Sequence, residues 1–296
     1  MKNVAIIGLG KWGKLVLQEF SKISHVKICV SLGNINNKKW LKSNFPSIEY
    51  SNNYNDVLND PCIEAIIITT PISTHYELAL KALKAKKHVF VEKPIAEKVS
   101  EANELLRYAS RNKLCFFVGN IFLYHQIFTK ISNLVKSDQL YFANFEWKKF
   151  GSFKENLILN LVVHDLSMIL SLFGAPKKIS VNNYFGKFSQ LDFISIDCIF
   201  TKNRKCKIDI NRISNEKKKS ITFMTKNNTY IWSDLDLYKL NNKTKSFNLI
   251  FTSTKSPLSI ECKEFLKNIK TKTINKKSKE SLVVLKILDK YLKSYK

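Results

Sequence analysis

The chain has 296 residues, 45% of them hydrophobic, which is enough for two domains with sizeable cores. Its 45 Lys, 4 Arg and 24 acidic residues give a formal net charge of +25. Arg is scarce, Lys is spread along the chain and no nucleic-acid-binding motif is present, so this charge does not predict a specific nucleic-acid partner.

Cysteine spacing and hydropathy exclude further classes. The six Cys show no Cys-x-x-Cys spacing, so neither a disulfide framework nor a metal site is predicted. No run approaches the ~18 apolar residues of a membrane span. A core strand begins at the N-terminus, which predicts a cytoplasmic protein without a signal peptide.

The first predicted strand leads directly into a glycine-rich turn. Val4–Ile7 is apolar and mostly β-branched, and Gly8-Leu9-Gly10-Lys11-Trp12-Gly13 follows, with apolar residues at helical spacing after it. This strand, turn and helix predict a dinucleotide site, in which Gly8 permits the turn, Gly10 admits the pyrophosphate and Gly13 allows close helix packing. Lys11 and Trp12, inside the turn, are included in that site. The alternative is a Rossmann-like domain that no longer binds a nucleotide.

The second strand, predicted over 26–31, bears on the choice of cofactor. NAD-binding units place an Asp or Glu near its end for the ribose hydroxyls. Here Ser31, followed by Leu32, Gly33 and Asn34, offers no carboxylate, and Lys38 and Lys39 come next. This pattern slightly favours NADP over NAD, unless the lysines are only the solvated face of a helix.

The remaining strands complete a doubly wound α/β Rossmann domain over residues 1–119. Further strands are predicted at 48–51, 65–68, 89–91 and 114–118. Helices are predicted at 54–58, from 74 with a Thr74/Glu77 capping box, and from Ser100 to 112. Two strands deliver Thr70-Pro71 and Glu92-Lys93-Pro94 at their carboxyl ends, where such sheets bind ligands.

From residue 120 the strand–helix alternation stops. Extended segments are predicted at 141–150, 179–184, 191–200, 205–213, 221–225 and 229–232, and helices at 121–134, 157–173, 259–269 and 279–295. This predicts an α+β substrate and oligomerisation domain over 120–296, with a mostly antiparallel open sheet and a last helix able to pack back on the first domain. Because an open sheet needs covering, we expect a homodimer or homotetramer.

Residues 1–176 resemble the Gfo/Idh/MocA family, named for glucose–fructose oxidoreductase and inositol dehydrogenase, in the order and spacing of four segments. They are the glycine turn, Thr70-Pro71-Ile72-Ser73-Thr74-His75, Glu92-Lys93-Pro94-Ile95 and Val163-His164-Asp165-Leu166. The resemblance implies an NAD(P)-dependent oxidoreductase of carbohydrate metabolism. Such an enzyme transfers a hydride between nicotinamide and a secondary alcohol or ketone of a sugar- or polyol-like substrate.

The resemblance also implies roles for individual residues. Lys93 would favour the developing alkoxide, and Glu92 would hold the nicotinamide ribose or orient Lys93, with a surface ion pair as the alternative. His164 would move the proton, with a buried core histidine as the alternative. His75 would lie at the nicotinamide side, or be an ordinary first-turn residue.

The chain departs from the family pattern at two places. The family commonly has an Asp one turn before the helix histidine; here Asn160 takes that position, and it cannot stabilise an imidazolium as a carboxylate would. Asp165 is predicted to point to another helix face. After the sixth strand the family's Arg is absent, leaving Asn120, Tyr124 and His125 as substrate candidates or packing residues. The alternative function is a catalytically silent dinucleotide-binding protein of the same fold.

Overall fold

The structure, a computed structural model, describes residues 2–31 and 35–295 of the chain. Two compact units are present. The first contains Met1–Ile121 and Leu258–Leu285, and the second contains Phe122–Pro257 and Lys286–Lys296. The predicted domain boundary at residue 119 therefore lies close to the first division, but residues 258–285 pack with the first unit.

The first unit is built on a six-stranded, wholly parallel sheet, because its strands are joined by helical crossovers. The strands are β1 (Asn3–Ile7), β2 (His25–Val30), β3 (Glu49–Ser51), β4 (Ala65–Ile68), β5 (His88–Glu92) and β6 (Phe116–Gly119). Their order is β3-β2-β1-β4-β5-β6. The order reverses between β1 and β4, so the carboxyl ends of these two strands mark the ligand-binding edge of the sheet.

Seven helices of the described residues belong wholly or partly to this unit. They are α1 (Lys11–Ser21), α2 (Ile35–Asn44), α3 (Asn55–Leu58), α4 (His75–Lys84), α5 (Val99–Arg111), α8 (Pro257–Thr271) and α9 (Lys276–Leu292), with a 3₁₀ turn at Ile72–Thr74. α8 joins this unit through Phe265, whose ring packs edge-on against Phe20, Phe90 and Phe117. Packing of these fully buried rings explains why residues 258–285 belong to the first unit, although they were predicted to lie in the second domain.

The second unit is built on an eight-stranded sheet of order β14-β13-β12-β11-β7-β10-β9-β8. Its strands are β7 (Leu140–Lys148), β8 (Lys178–Phe185), β9 (Phe193–Ile199), β10 (Lys205–Asn211), β11 (Lys218–Thr225), β12 (Thr229–Ser233), β13 (Asp236–Asn241) and β14 (Ser246–Thr252). Among the described strand pairs of this sheet, only β7–β10 is parallel. Together with the parallel sheet of the first unit, this sheet confirms the predicted fold class.

Two helices of the described residues lie wholly within the second unit, α6 (Gln126–Ser137) and α7 (Val163–Phe173). A 3₁₀ turn at Ile121–Tyr124 precedes α6, and a π-helical turn at Ile158–Val162 leads into α7. α7 is buried along nearly its whole length. Gly174 follows its last residue as the C-cap, with a φ of +82° that glycine adopts readily.

Several local predictions were wrong. Thr74 does not cap α4, because its hydroxyl donates to the Pro71 carbonyl instead. α5 begins at Val99, before Ser100, and Glu101 accepts the Lys98 N–H there. The helices predicted over 121–134 and 157–173 are each interrupted, the second by the π-helical turn. β13 and β14 were missed.

Candidate functional site

The three glycines of the turn differ in the space that the surrounding structure leaves for a side chain. Gly8 has a φ of +98°, and a Cβ there would meet the Thr69 backbone at 3.1 Å. A Cβ on Gly13 would lie 2.1 Å from the Gly8 carbonyl oxygen, so this glycine is required for α1 to approach β1. Around Gly10 the described structure has no atom within 4 Å of an added Cβ. The fold itself therefore does not require glycine at position 10, whereas a closely approaching pyrophosphate would.

α1 begins at Lys11, immediately after Gly10, and Gly10 offers no side-chain cap. No acidic residue lies in the first turn of the helix. Its N-terminal dipole end, beside the open space at Gly10, is therefore suited to an anionic group such as a pyrophosphate. Lys11 is exposed and Trp12 half-buried at this turn.

Glu92 lies at the carboxyl end of β5 and is held by two donors. Trp12 Nε1 donates to its Oε1 at 2.6 Å, and the Lys93 backbone N–H donates to its Oε2 at 3.3 Å. Desolvation raises the pKa of Glu92 to about 7, although the Trp12 hydrogen bond and the Lys93 charge oppose that rise. The predicted residues Trp12 and Glu92 thus lie together in the first unit, with the half-buried Lys93 next in sequence, followed by a cis Lys93–Pro94 bond.

His75 connects the ends of β4 and β5. It is 1% exposed; its Nδ1 lies 2.8 Å from the Pro94 carbonyl oxygen and its Nε2 lies 2.8 Å from that of Thr70. Burial lowers the pKa of His75, while the two carbonyl contacts act in the opposite direction. Because both ring nitrogens are engaged, His75 is built to fix the Thr70-Pro71 and Lys93-Pro94 segments relative to each other.

Ser31 follows β2 and is buried. Its hydroxyl accepts a hydrogen bond from Asn37 Nδ2 at 3.1 Å, and its carbonyl accepts one from the Tyr50 hydroxyl at 2.7 Å. Lys38 lies over the Tyr50 ring, 5.7 Å from its centroid, so a cation is close to this strand end. Leu32, Gly33 and Asn34, which also entered the NADP prediction, lie outside the described residues.

Sequence reasoning missed a second carboxyl group beside Glu92. Glu261, on α8, is completely buried; burial and the charge of Glu92 raise its pKa well above the usual value. Asn120, a predicted substrate residue, is buried in the same unit and donates from Nδ2 to the Ser281 hydroxyl at 2.8 Å. The helical spacing of α8 gave no signal for Glu261, because only the packing of α8 on the parallel sheet buries it.

His164 lies in the first turn of α7, in the second unit, and is 9% exposed. Its ring packs edge-to-face against Phe122, with 4.8 Å between centroids. Phe122 packs in turn against Trp147 on β7, at 5.8 Å. The imidazole predicted to move a proton thus lies against an aromatic wall, which we define as Phe122, Trp147 and Trp232.

The buried ammonium group of Lys219 and the buried carboxylate of Asp165 contact this aromatic wall. Lys219 Nζ lies 2.9 Å from the Phe122 centroid and 4.1 Å from that of Trp147. Asp165 is 0% exposed and accepts a 3.3 Å hydrogen bond from Trp147 Nε1. Asp165 was predicted only to point away from the face of His164, and Lys219 was missed, because it stands in a run of three lysines that looks solvent-exposed.

Desolvation acts on both of these groups. It lowers the pKa of Lys219, opposed by the negative charges of Asp165 and Asp234. It raises the pKa of Asp165, opposed by Lys219 and the Trp147 hydrogen bond. Perturbed titratable groups of this kind concentrate at functional sites.

Asn160 lies within the π-helical turn and is half-buried. Its side-chain amide donates to the carboxylate of Glu155, and its backbone N–H donates to the Asn156 carbonyl at 2.9 Å. The position therefore carries an amide already bonded to a nearby carboxylate.

Tyr124 and His125 are both buried, close to the start of α6. His125 Nδ1 accepts the Ile127 N–H and so caps α6, and its ring lies 4.6 Å from Trp232. Burial, and next the charge of Lys219, lower the pKa of His125 to about 4. Contact of either residue with a substrate stays a prediction.

Two negative findings concern the part of the chain that the structure describes. It contains no cluster of three or more His, Cys, Asp or Glu side chains able to hold a metal ion. None of its helices combines the length and the apolar character needed to cross a membrane.

Comparison with solved structures supports the fold over the whole chain. UDP-N-acetylglucosamine 3-dehydrogenase from Acidithiobacillus ferrooxidans matches with a TM-score of 0.87 at 18% identity, covering 99% of each chain. Biliverdin reductase from Synechocystis, solved with biliverdin and NADP+, matches with a TM-score of 0.83 at 16% identity, covering 99% of this chain and 98% of the other. At these identities the likeness concerns the fold alone.

Sequence comparison finds related oxidoreductases. An uncharacterized oxidoreductase of Bacillus subtilis is 28% identical over 231 residues, covering 70% of this chain and 66% of the relative. The NADP(+)-dependent scyllo-inositol 2-dehydrogenase of B. subtilis is 28% identical over 156 residues, 48% of this chain and 44% of the relative. The chain thus spans less than two thirds of these relatives' length. The model of the Gfo/Idh/MocA oxidoreductase family, described as an NAD-binding Rossmann fold, matches residues 2–120, so this part of the chain is similar to that family.

Proposed function

We propose that the protein is an NAD(P)-dependent dehydrogenase or reductase that acts on a secondary alcohol or ketone of a sugar- or polyol-like substrate, with a slight preference for NADP. The observation that carries this proposal is the glycine turn. Packing requires glycine at positions 8 and 13, whereas Gly10 borders open space at the start of α1. The named activity of the scyllo-inositol relative supports the substrate class, and its NADP(+) dependence supports the cofactor.

The residues of the first unit fit the cofactor. The turn from Gly8 to Gly13 would hold the pyrophosphate, with Thr70 and Pro71 at the neighbouring strand end. Glu92, fixed by Trp12, would accept hydrogen bonds from the nicotinamide ribose. When bound, the nicotinamide ring supplies or accepts the hydride.

Side chains of the protein would stabilise the negative charge that develops on the carbinol oxygen and transfer its proton. The Lys93 ammonium would stabilise the developing alkoxide. His164 would take the hydroxyl proton during oxidation or return it during reduction. The Asn160 amide would hydrogen-bond the substrate.

A panel assay tests this proposal. NADP+ and NAD+ reduction would be followed with inositols and with UDP-N-acetylglucosamine. With an active substrate, Lys93→Met should lower kcat by about 10²–10³, in the range seen when one transition-state donor is removed, with little change in NADPH affinity. Lys98→Met is the matched control, because Lys98 is an exposed lysine of the same segment, paired with Glu101. NADPH binding without turnover of any substrate would favour the catalytically silent alternative, in which Asn160 marks lost chemistry.

We also propose that the protein is a homodimer or homotetramer. Large apolar side chains are exposed on the outer strands of the second unit, among them Tyr184, Phe185, Phe247 and Leu249. Exposed apolar patches of this kind are typical of protein interfaces. Light scattering should give a dimer or tetramer mass, and Leu249→Lys should shift it toward the monomer; a monomeric parent would contradict the proposal.

A further inference from the structure

The ammonium group of Lys219 is buried against the aromatic wall of the second unit. Lys219 Nζ is fully buried, and among residues 2–31 and 35–295 it has no hydrogen-bond partner. Instead it lies over the faces of Phe122, Trp147 and Trp232, at 2.9, 4.1 and 5.8 Å from their centroids. A cation over an aromatic face is stabilised by the ring quadrupole, but not as fully as by water.

The sheet register explains how Lys219 reaches this position. On β11, Lys219 pairs with Trp147 of β7, so both side chains point to the same face. Its neighbour Lys218 points to the other face and pairs with Glu146 at 2.7 Å. Lys148, also on that other face, pairs with Glu146 and Glu216. Lys219 alone of these lysines is therefore directed into the aromatic wall.

Asp165 is the matching buried anion on α7. Its Oδ1 accepts the Trp147 hydrogen bond, whereas its Oδ2 has no partner within the described residues. Lys219 and Asp165 thus act on each other through charge, across the Trp147 indole. Asp234, after β12, contributes further negative charge to Lys219.

Two histidines contact aromatic rings over which the Lys219 ammonium lies. His125 contacts Trp232, and the charge of Lys219 lowers its pKa. His164 contacts Phe122, the ring on which the ammonium rests. The short distances on either side of Phe122 keep the ammonium and the imidazole within the screening length of about 8 Å at physiological ionic strength.

We propose that Lys219 is a positioning residue of the reaction: its ammonium, answered by Asp165, fixes the Phe122 ring against His164 and disfavours the charged form of that imidazole. The inference rests on the proposed function, because it assigns the proton to His164. Among the described residues, Asp165 on α7 and Asp234 act on Lys219 through their charge, Lys219 acts on His125 at the start of α6, and His164 on α7 is linked to Lys219 through the Phe122 ring. Burial lowers the pKa of Lys219, so its ammonium loses its charge at a lower pH than an ordinary lysine does.

The test is a nuclear magnetic resonance titration of the five histidine Cε1–H signals, which needs no turnover. His125→Ala and His164→Ala assign the two signals. In Lys219→Met we expect both midpoints to rise by at least about half a pH unit, since a nearby like charge disfavours protonation. Lys218→Met is the matched control and should leave both midpoints unchanged. The signal of His25, which belongs to the first unit, should stay in place in every variant. Unmoved His125 and His164 midpoints in Lys219→Met would overturn the proposal.

A second measurement separates positioning from simple support of the fold. With an active polyol, the acid limb of the pH–rate profile for oxidation should move to higher pH in Lys219→Met, because His164 must be neutral to accept a proton. A lower melting temperature with an unmoved limb would show a purely structural role and contradict the inference. If Lys219→Met fails to fold, Lys219→Met/Asp165→Asn removes both buried charges, and its comparison with Asp165→Asn alone isolates the effect of the Lys219 charge.

The proposed function can fail separately from this inference. If His164→Ala retains kcat while the histidine midpoints respond to Lys219→Met, the electrostatic link holds, but His164 is not the proton-transfer group. The proposed function would then need another base, and the positioning role of Lys219 in the reaction would be rejected.

Discussion

The Trp12 indole Nε1 donates a 2.6 Å hydrogen bond to Oε1 of Glu92, which joins the first turn of α1 to the carboxyl end of β5. The two residues are 80 positions apart in sequence and belong to separate cofactor-binding predictions. The bond makes the glycine turn and the Glu92-Lys93-Pro94 segment one connected surface. A change in the charge of Glu92 is therefore transmitted to the helix that would hold the pyrophosphate.

Removing this donor should destabilise the protein in a pH-dependent way. Trp12→Phe keeps an aromatic ring but loses the N–H, and a hydrogen bond to a charged group contributes about 1.5–3 kcal/mol. The pKa of Glu92 is about 7 in the folded protein against 4.5 ordinarily, so its stabilising contribution is full below 4.5 and is lost as the pH rises toward 7. Without the indole that loss should be larger. Urea unfolding should therefore show a greater deficit for Trp12→Phe above pH 7 than below pH 4.5.

Trp40→Phe is the control for this comparison, because Trp40 packs against Phe45 and Lys14 in the same unit. Glu92→Gln should in turn remove the pH-dependent component. Equal deficits for Trp12→Phe at both pH values would mean that the indole contributes packing only.

The three glycines of the turn should respond differently to substitution. Gly10→Val adds a side chain where the structure has open space, so unfolding should be nearly unchanged while NADPH binding is lost. Gly13→Ala instead forces a Cβ against the Gly8 carbonyl, and overpacking of this kind costs about 1–3 kcal/mol or more. Thermal unfolding and NADPH fluorescence separate the two effects. Retained NADPH binding in a folded Gly10→Val variant would make the turn structural only.

The fold could be predicted from sequence wherever a segment is buried on both faces. Ala65–Ile68 is continuous and apolar because it lies at the centre of the parallel sheet, and its predicted bounds were confirmed. β14 could not be recognised in the same way, since nearly all its residues are exposed and no alternating pattern results. The π-helical turn was also missed, because Leu157–Phe173 is mostly apolar and a change of helical period leaves little mark in such a run.

The site could be predicted where the signal lies in local residue types, such as the glycine turn or Glu92-Lys93-Pro94. Lys219 and Glu261 gave no signal, because their burial depends on long-range packing. Lys219 is one of three consecutive lysines, and only the alternation of side chains along β11 directs it, rather than Lys218, toward the aromatic wall. Glu261 becomes buried only when α8 packs against the parallel sheet.

Ser31 should set the cofactor preference. We expect NADPH to bind at least as tightly as NADH, since Ser31 places no carboxylate at this strand end and Lys38 lies nearby. Ser31→Asp adds a charge that repels a 2′-phosphate and can accept from the ribose hydroxyls. A tenfold shift toward NADH, about 1.4 kcal/mol, is expected in fluorescence titrations. Ser31→Asn controls for size without charge, and a parent protein that already binds NADH tenfold more tightly would contradict the prediction.

Exchanging the amide of Asn160 and the carboxylate of Glu155 would place a carboxylate at position 160, where the Gfo/Idh/MocA pattern commonly has an Asp. Asn160 donates to the Glu155 carboxylate, so Asn160→Asp alone would set two carboxylates against each other. Glu155→Gln/Asn160→Asp reverses the amide and the carboxylate, keeps their hydrogen bond and puts the negative charge one turn before His164. The acid limb of the kcat/KM profile for alcohol oxidation should then rise by about half a pH unit. This size follows because partly exposed ion pairs contribute ~0.2–1 kcal/mol and one pH unit corresponds to about 1.4 kcal/mol. Glu155→Gln alone is the matched control and should leave the limb in place. An unmoved limb in a folded, active double variant would show that residue 160 does not act on the proton-transfer group.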